Sequence, residues 1–213
     1  MNTLEYITKK YNLDLNQKRM PIEIPNVDRN DLAGLFGELG FKTGAEIGVE
    51  QGIYSEILCK KNPGLHLYCV DAWAAYNEYR EHVSQEKLDG FFENVQKRLS
   101  KYDVSFIRKF SMEAVDFIGD GWLDFVYIDA NHTFKHVAND VAEWSKKVRP
   151  GGIVAGHDYC KRTKSQPYSC HVVEVVNAYT QSYHINPWFV LGSKDVVEGQ
   201  HRDRPRSWMW VKK

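Results

Sequence analysis

Residues 44–73 read GAEIGVEQGIYSEILCKKNPGLHLYCVDAW, and the order of elements within them decides the fold. The short apolar run AEIGV is followed by a glycine-bearing turn and then by QGIYSEILCKKNPG, whose Ile53, Ile57 and Leu58 recur with helical spacing. Asn62-Pro63-Gly64 ends that helix. LHLYCVDAW then supplies a second apolar strand that closes on Asp71. Strand, helix and strand at this spacing form the opening βαβ unit of a nucleotide-binding type of sheet.

Downstream the alternation continues. LDGFFENVQKRLSKY predicts a helix with Phe91, Phe92, Val95 and Leu99 on a common side, and DVSFIRKF a third strand. SMEAVDFI predicts a short helix, and WLDFVYIDA a fourth strand ending in aspartate. Residues 136–152 give a helix closed by Pro150-Gly151-Gly152, before the fifth strand IVAGHDY. This pattern predicts an α/β fold, doubly wound and Rossmann-like, with a mainly parallel sheet. The tail adds a helix over 171–183 and two strand candidates, PWFVLG and RSWMWVKK, expected to pair antiparallel at one sheet edge. The intervening KDVVEGQHRDRPR reads as a loop. Upstream, NDLAGLFGELG predicts a short helix capped by Asn30 or Asp31 and ended by Gly40. Residues 1–30, where two prolines interrupt any helix, read as an N-terminal appendage to a domain over 31–213. Residues 73–88 are polar and aromatic rather than periodic and read as a flap beside the strand ends.

A chain of 213 residues suits one domain, and its 28 basic and 28 acidic side chains cancel. Charge therefore points to neither nucleic acid nor an anionic membrane as a partner, and no apolar run reaches the length of a membrane helix. Cys59, Cys69, Cys160 and Cys170 lack CxxC spacing, and the polar opening carries no signal segment, so a cytoplasmic location is expected. The scattered tryptophans read as core residues.

Ligands on open α/β sheets collect outside the carboxyl ends of the strands, which selects residues 46–52, Asp71, 111–114, Asp129 and His157-Asp158. Gly48 and Gly52 let the backbone turn closely around a ligand, and the amides of the following helix start attract its polar end. Asp71 can accept hydrogen bonds from both hydroxyls of an adenosine ribose, an arrangement that serves NAD and S-adenosylmethionine alike. Against NAD, GVEQG lacks the GxGxxG pattern of a pyrophosphate loop, which disfavours an oxidoreductase. A noncatalytic cofactor-binding module is a further alternative.

Because the strands before them run parallel, Asp129 and Asp158 come to the same end of the sheet, with His132 and His157 beside them. Two readings of this cluster stand. In one, Asp129, His157 and Asp158 hold Mg²⁺ or another divalent cation that orients a substrate hydroxyl, with His157 favouring softer ions than Mg²⁺. In the other, His132 or His157 is a metal-independent general base oriented by Asp129 or Asp158. Tyr76, Tyr79 and the stretch CKRTKSQPYSCH, with Arg162 and Lys164, are candidates to enclose an aromatic, sugar or acidic acceptor.

GAEIGVEQGIYS, LYCVDAW, FVYIDANHTFKHVANDV and VRPGGIVAGHDY occur here in an order that resembles class I S-adenosylmethionine-dependent methyltransferases, especially a small family with IDANHTF and PGGIVAGHDY segments. The resemblance covers residues 40 to 160 and implies a seven-stranded sheet with its last strand antiparallel. It implies that Glu46 and Gly48 line the methionine moiety, Asp71 holds the ribose, Ser111, Met112 and Glu113 lie near adenine, and Trp73 borders the base. Gly52 and Asp129 complete that donor-binding set, and His132, His157 and Asp158 serve the acceptor. Relatives of this kind often methylate hydroxyls of sugars or small natural products, so O-methylation of a small molecule is expected. Some class I O-methyltransferases place an acidic pair or an acidic-amide pair after the fifth strand, where this chain has His157-Asp158. Methyl transfer needs no covalent enzyme intermediate, so Cys160 and Cys170 are not expected as nucleophiles. A homodimer is compatible with the sequence, which exposes no decisive interface.

Overall fold

Along residues 125–128 burial alternates between two cores, with Phe125 and Tyr127 in one and Val126 and Ile128 in the other. A strand buried on both faces needs a layer on each. In the computed structural model of the chain, which describes residues 1–76, 84–161 and 170–213, helices supply both layers. One face carries α1 (Thr3–Lys10), α2 (Arg29–Glu38), α3 (Ile53–Lys61) and α4 (Gln85–Leu99), through Ile7, Phe36, Leu58 and Val95. The other carries α5 (Ser111–Ala114), α6 (Phe134–Lys147) and α7 (Val172–Ser182), through Ala114, Val141, Trp144 and Val176.

Among the described residues the strands are β1 (Ile22–Ile24), β2 (Thr43–Ile47), β3 (His66–Asp71), β4 (Val104–Arg108), β5 (Leu123–Ile128), β6 (Val148–Tyr159), β7 (Phe189–Leu191) and β8 (Arg206–Val211). They form one sheet in the order β1-β7-β8-β6-β5-β2-β3-β4. All neighbours are parallel except β8, which runs antiparallel to both β6 and β7. The doubly wound, mainly parallel sheet expected from the sequence is therefore present, with its C-terminal strand antiparallel.

Two details differ from the expectation. The sheet has eight strands rather than seven, because Ile22–Ile24 pairs parallel with β7, Ile22 opposite Phe189 and Ile24 opposite Leu191. The segment read as an appendage is thus built into the sheet edge. It also carries α1, upstream of both prolines, and Pro21 and Pro25 tolerate a short edge strand between them, with Ile22 and Ile24 buried and Glu23 half-buried. The second difference is that β8 lies between β6 and β7, so the outer edge on that side is β1.

The helix before β2 starts earlier than expected. Asp28 is its cap, accepting from the Asn30 and Asp31 amides, while Asp31 accepts from the Asp28 amide in return. This start, two or three residues earlier, brings Arg29 into the first turn, where it lines the cavity described below. Trp144, Trp188, Trp208 and Trp210 are core residues as expected, whereas Trp122 is 62% exposed. No helix among the described residues is long and apolar enough to cross a membrane.

Candidate active site

Strand register aligns the chemistry. Ile47 pairs with Ile128 and Ile128 with Gly156, so Gly48, Asp129 and His157 are the next residues out at one end of the sheet. A cavity of about 740 Å³ opens there.

At one end of the cavity stand Glu46, Gly48, Asp71 and Trp73. Gly48 has φ +92°, and a Cβ on it would lie 2.2 Å from the carbonyl oxygen of Asp129, so the two strand ends can approach this closely only through glycine. The Asp71 carboxylate accepts from the backbone amides of Val49 (3.0 Å), Glu50 (2.9 Å) and Trp73 (2.8 Å). Burial raises its pKa, and these amides draw it back toward the charged form. The Trp73 indole donates to the Glu50 carbonyl at 2.8 Å, and both residues hold left-handed backbones, so the loops after β2 and β3 brace each other. Glu46 is 2% exposed and accepts from the Ser55 hydroxyl on α3; burial pushes its carboxyl up to about 8.

Ser111 and Met112 line a further wall of the cavity. The Ser111 hydroxyl accepts from the Trp144 indole at 2.7 Å and donates to Asp140, which also lines the cavity from α6. Burial pushes Asp140 up to about 7. Two residues expected beside the cofactor stand elsewhere. Gly52, φ +69°, caps α3 and packs toward Val95, and Glu113 does not line the cavity. In each case a neighbour in the same turn faces the cavity instead, Gln51 and Ile53 for Gly52 and Met112 for Glu113.

The polar end is denser in charge. His132 Nε2 lies 3.4 Å from Asp129 Oδ1 and 3.0 Å from Asp158 Oδ2. His157 Nδ1 lies 3.6 Å from Asp129 Oδ2 and 3.4 Å from Asp158 Oδ2. Asp129 and His132 line the cavity, whereas His157 and Asp158 stand behind them. Neither ring nitrogen of His132 is aligned in a hydrogen bond despite its burial, so the contacts to the two carboxylates are ionic rather than directional. Burial pulls the His132 pKa down, but Asp129 and Asp158 more than reverse this and bring it to about 9. Burial likewise lowers and Asp158 raises His157, for a net rise. Burial raises the Asp158 carboxyl, and the two histidines outweigh it, holding the group well below the usual range. Asp129, His132 and Asp158 each offer an atom within 4.8 Å of the others. That grouping has His132, not the expected His157, as its nitrogen partner.

Arg29 and Asp140 were missed by the sequence reading. Arg29 lines the cavity, 3.9 Å from Asp129 Oδ2 and 4.0 Å from Asp203 Oδ1, with its guanidinium over the Tyr54 ring. Its position just after the Asp28 cap was the available signal. For Asp140 the signal was an acidic residue between the core positions Val137, Val141 and Trp144 of one helix. Tyr76 lines the cavity, accepts from the Asn131 amide at 3.0 Å and meets Phe110 edge to face. Tyr79, Arg162 and Lys164 lie outside the described residues.

A cavity at the strand ends of a doubly wound, mainly parallel sheet stands where the resemblance to class I S-adenosylmethionine-dependent methyltransferases implies the donor site. The chain belongs to the methyltransferase-domain family, whose model matches residues 45–159, more than half of its length. No curated protein matches it in sequence. Among solved structures, the chain is similar to the O-methyltransferase TomG from Streptomyces achromogenes, involved in tomaymycin synthesis and solved with SAM, at 16% identity and TM-score 0.59, covering 99% of this chain and 90% of that one. An O-methyltransferase from Bacillus cereus in complex with SAH aligns at 14% identity and TM-score 0.59, with the same coverage. The N-methyltransferase NodS from Bradyrhizobium japonicum aligns at 13% identity and TM-score 0.55, covering 86% of this chain and 94% of that one. At these identities the likeness is one of fold.

Proposed function

We propose that the enzyme transfers the methyl group of S-adenosylmethionine to a hydroxyl oxygen of a small molecule, such as a sugar or an aromatic natural product, with His132 as the residue that receives the hydroxyl proton. The observation carrying this reading is that His132 lines the donor cavity while touching both Asp129 and Asp158. Displacement at the methyl carbon requires acceptor oxygen, carbon and sulfur in line, so most of the site's work is placement. Asp71, fixed by three backbone amides, retains lone pairs for the ribose hydroxyls. Arg29 offers a cation to the methionine carboxylate, and Ser111, Met112 and Asp140 face adenine. Trp73, whose indole is committed to Glu50, supports this wall more than it stacks on a ligand.

At the polar end the acceptor hydroxyl loses its proton to the His132 imidazole, and Asp129 and Asp158 stabilise the imidazolium that results. With a pKa of about 9, His132 is mostly protonated at neutral pH and becomes competent as a base as the pH rises. Oxygen is favoured over nitrogen as the acceptor because a hydroxyl gains more from a base at this position.

Asp129, His132 and Asp158 also fit a divalent cation. Their donor atoms converge within 4.8 Å, and the buried His132 ring has no aligned hydrogen bond. A set with one imidazole suits Mn²⁺, Co²⁺ or Zn²⁺ better than Mg²⁺, and such an ion would lower the pKa of an acceptor hydroxyl. Metal-free, the His132 imidazolium supplies the positive charge that the two carboxylates require.

The test is release of S-adenosylhomocysteine from a panel of hydroxylated aromatics and sugars, in chelated protein and with Mn²⁺ restored. Turnover on a hydroxyl acceptor that falls about 100-fold in His132→Gln, with calorimetric affinity for S-adenosylhomocysteine unchanged, supports the reading. Products methylated on nitrogen alone, or full turnover in the variant, overturn it. Restoration by Mn²⁺ alone selects the metal-assisted form. The free thiols fit a reducing compartment, the cytoplasm.

A further inference from the structure

Four free cysteines divide into two kinds. Cys59 and Cys69 are buried within the core on the face covered by α1 to α4. Cys160 and Cys170 sit at the other core, immediately after β6 and just before the His171 cap of α7, and are joined in sequence by residues 161–169. Their sulfur atoms lie within 4.8 Å of each other and of a carboxylate oxygen of Asp158. Both report to Asp158 through the backbone as well, because its carbonyl accepts from the Cys160 amide at 2.6 Å and from the Cys170 thiol at 3.5 Å. Asp158 itself holds a left-handed backbone, φ +56°. On the far side the His171 amide donates to the His132 carbonyl at 2.9 Å, and the Phe134 amide donates to His171 Nδ1 at 3.1 Å. Hydrogen bonds thus link the sulfur pair to Asp158 on one side and, through the His171 backbone that follows Cys170, to His132 on the other.

We propose that Cys160 and Cys170 are a covalent modification site, a dithiol that closes reversibly to a disulfide by exchange with a low-molecular-weight disulfide such as glutathione disulfide. Cys160 is half-buried and Cys170 only 7% exposed, so the oxidant meets Cys160 first. The Cys160 thiolate attacks one sulfur of glutathione disulfide, forming a mixed disulfide and expelling one glutathione thiolate. The Cys170 sulfur, having lost its proton to solvent, attacks the Cys160 sulfur and expels the second glutathione. The two protein thiols are oxidised and the one glutathione disulfide is reduced to two glutathiones, so the electrons balance. Closure requires the sulfurs to approach to bonding distance, and it removes the Cys170 S–H donor from the Asp158 carbonyl. Disulfides of this type in a reducing compartment are transient and responsive rather than structural.

The test uses the full chain, chelated, and titrated with glutathione disulfide against glutathione. Peptide mass mapping is expected to find Cys160 linked to Cys170, with loss of two hydrogens per chain and full reversal by dithiothreitol. In Cys170→Ser the same treatment is expected to leave a glutathione adduct on Cys160. Nitrogen-15 spectra of the imidazole rings report the coupling: His132 and His171 shift on oxidation of the wild type and do not shift in Cys170→Ser. No 160–170 link at any glutathione ratio, or a link that involves Cys59 or Cys69, overturns the proposal. So do thiols that resist oxidation and instead bind one Zn²⁺ per chain. Unmoved imidazole resonances in linked protein overturn the coupling to the site. The mapping uses neither donor nor acceptor, so its outcome is independent of the methyltransfer reading.

Discussion

The two ends of the cavity are built on opposite terms. At the end formed by β2 and β3 these polar groups are answered from nearby in the chain: Asp71 by three backbone amides, Trp73 by the Glu50 carbonyl, Glu46 by Ser55 of α3. At the end formed by β5 and β6, two carboxylates and two histidines crowd together at 3.0–3.6 Å, and the His132 ring has no aligned hydrogen bond. The first end is preorganised by the backbone, and in the proposed function it receives a neutral ribose. The second holds a charge arrangement that a proton or a cation has to complete. Binding and chemistry are thus separable in this cavity, and variants at the two ends should fail in different ways.

The largest expected effect falls where the ends touch. Gly48→Ala sets a methyl 2.2 Å from the Asp129 carbonyl oxygen in a backbone that side chains rarely adopt. Unfolding in urea should show a loss of about 3 kcal/mol or more, together with loss of S-adenosylhomocysteine binding. Wild-type stability would mean that the two strand ends are not in the contact described.

Next comes the pH dependence of the polar end. His132 is raised from 6.5 to about 9, so its contribution to stability is fully present below about pH 6.5 and is lost as pH rises through about 9. The stability gap between wild type and His132→Gln should therefore be about 1–3 kcal/mol at pH 6 and shrink toward pH 10. Methyl transfer by chelated enzyme should move the other way, rising to a plateau above about pH 9. A gap that widens with pH would break the assignment of the charge to His132.

Asp71→Asn sharpens the contrast from the donor end. An amide offers one acceptor oxygen where the carboxylate offers two, so calorimetry should find S-adenosylhomocysteine bound about tenfold more weakly. The pH profile of transfer should keep its shape. A profile that shifts with this variant would show that the two ends are coupled. The smallest effect is expected of Glu113→Ala, since Glu113 lies off the cavity wall, and its affinity for S-adenosylhomocysteine should stay within about twofold of wild type.

Much of this site was legible because strand ends are marked locally. An apolar run that stops at Asp71, Asp129 or Asp158 announces both the end of a strand and a carboxylate at the ligand side of a parallel sheet. Gly48 was legible for the same reason, as the first residue beyond a strand that has to turn. The direction of a side chain within a turn is not marked in this way, which is why Gly52 and Glu113 were expected at the cavity and their neighbours line it instead. Similarly, His132 and His157 are equivalent in sequence, and what separates them is that the loop after β5 faces the cavity while His157 sits behind Asp129.

The sequence by itself determined the order of elements, the parallel sheet and the carboxylates at its ligand end, because periodicity and strand termini are encoded within short segments. Tertiary structure alone decided that Ile22–Ile24 becomes an eighth strand, that Arg29 reaches the donor cavity, and that Cys160 meets Cys170 beside Asp158. Each of these depends on a partner supplied from elsewhere in the chain, β7 for the strand, the β5 and β8 ends for Arg29, and the start of α7 for Cys160. No local pattern specifies such a partner, since it is fixed by how the finished sheet brings distant ends together.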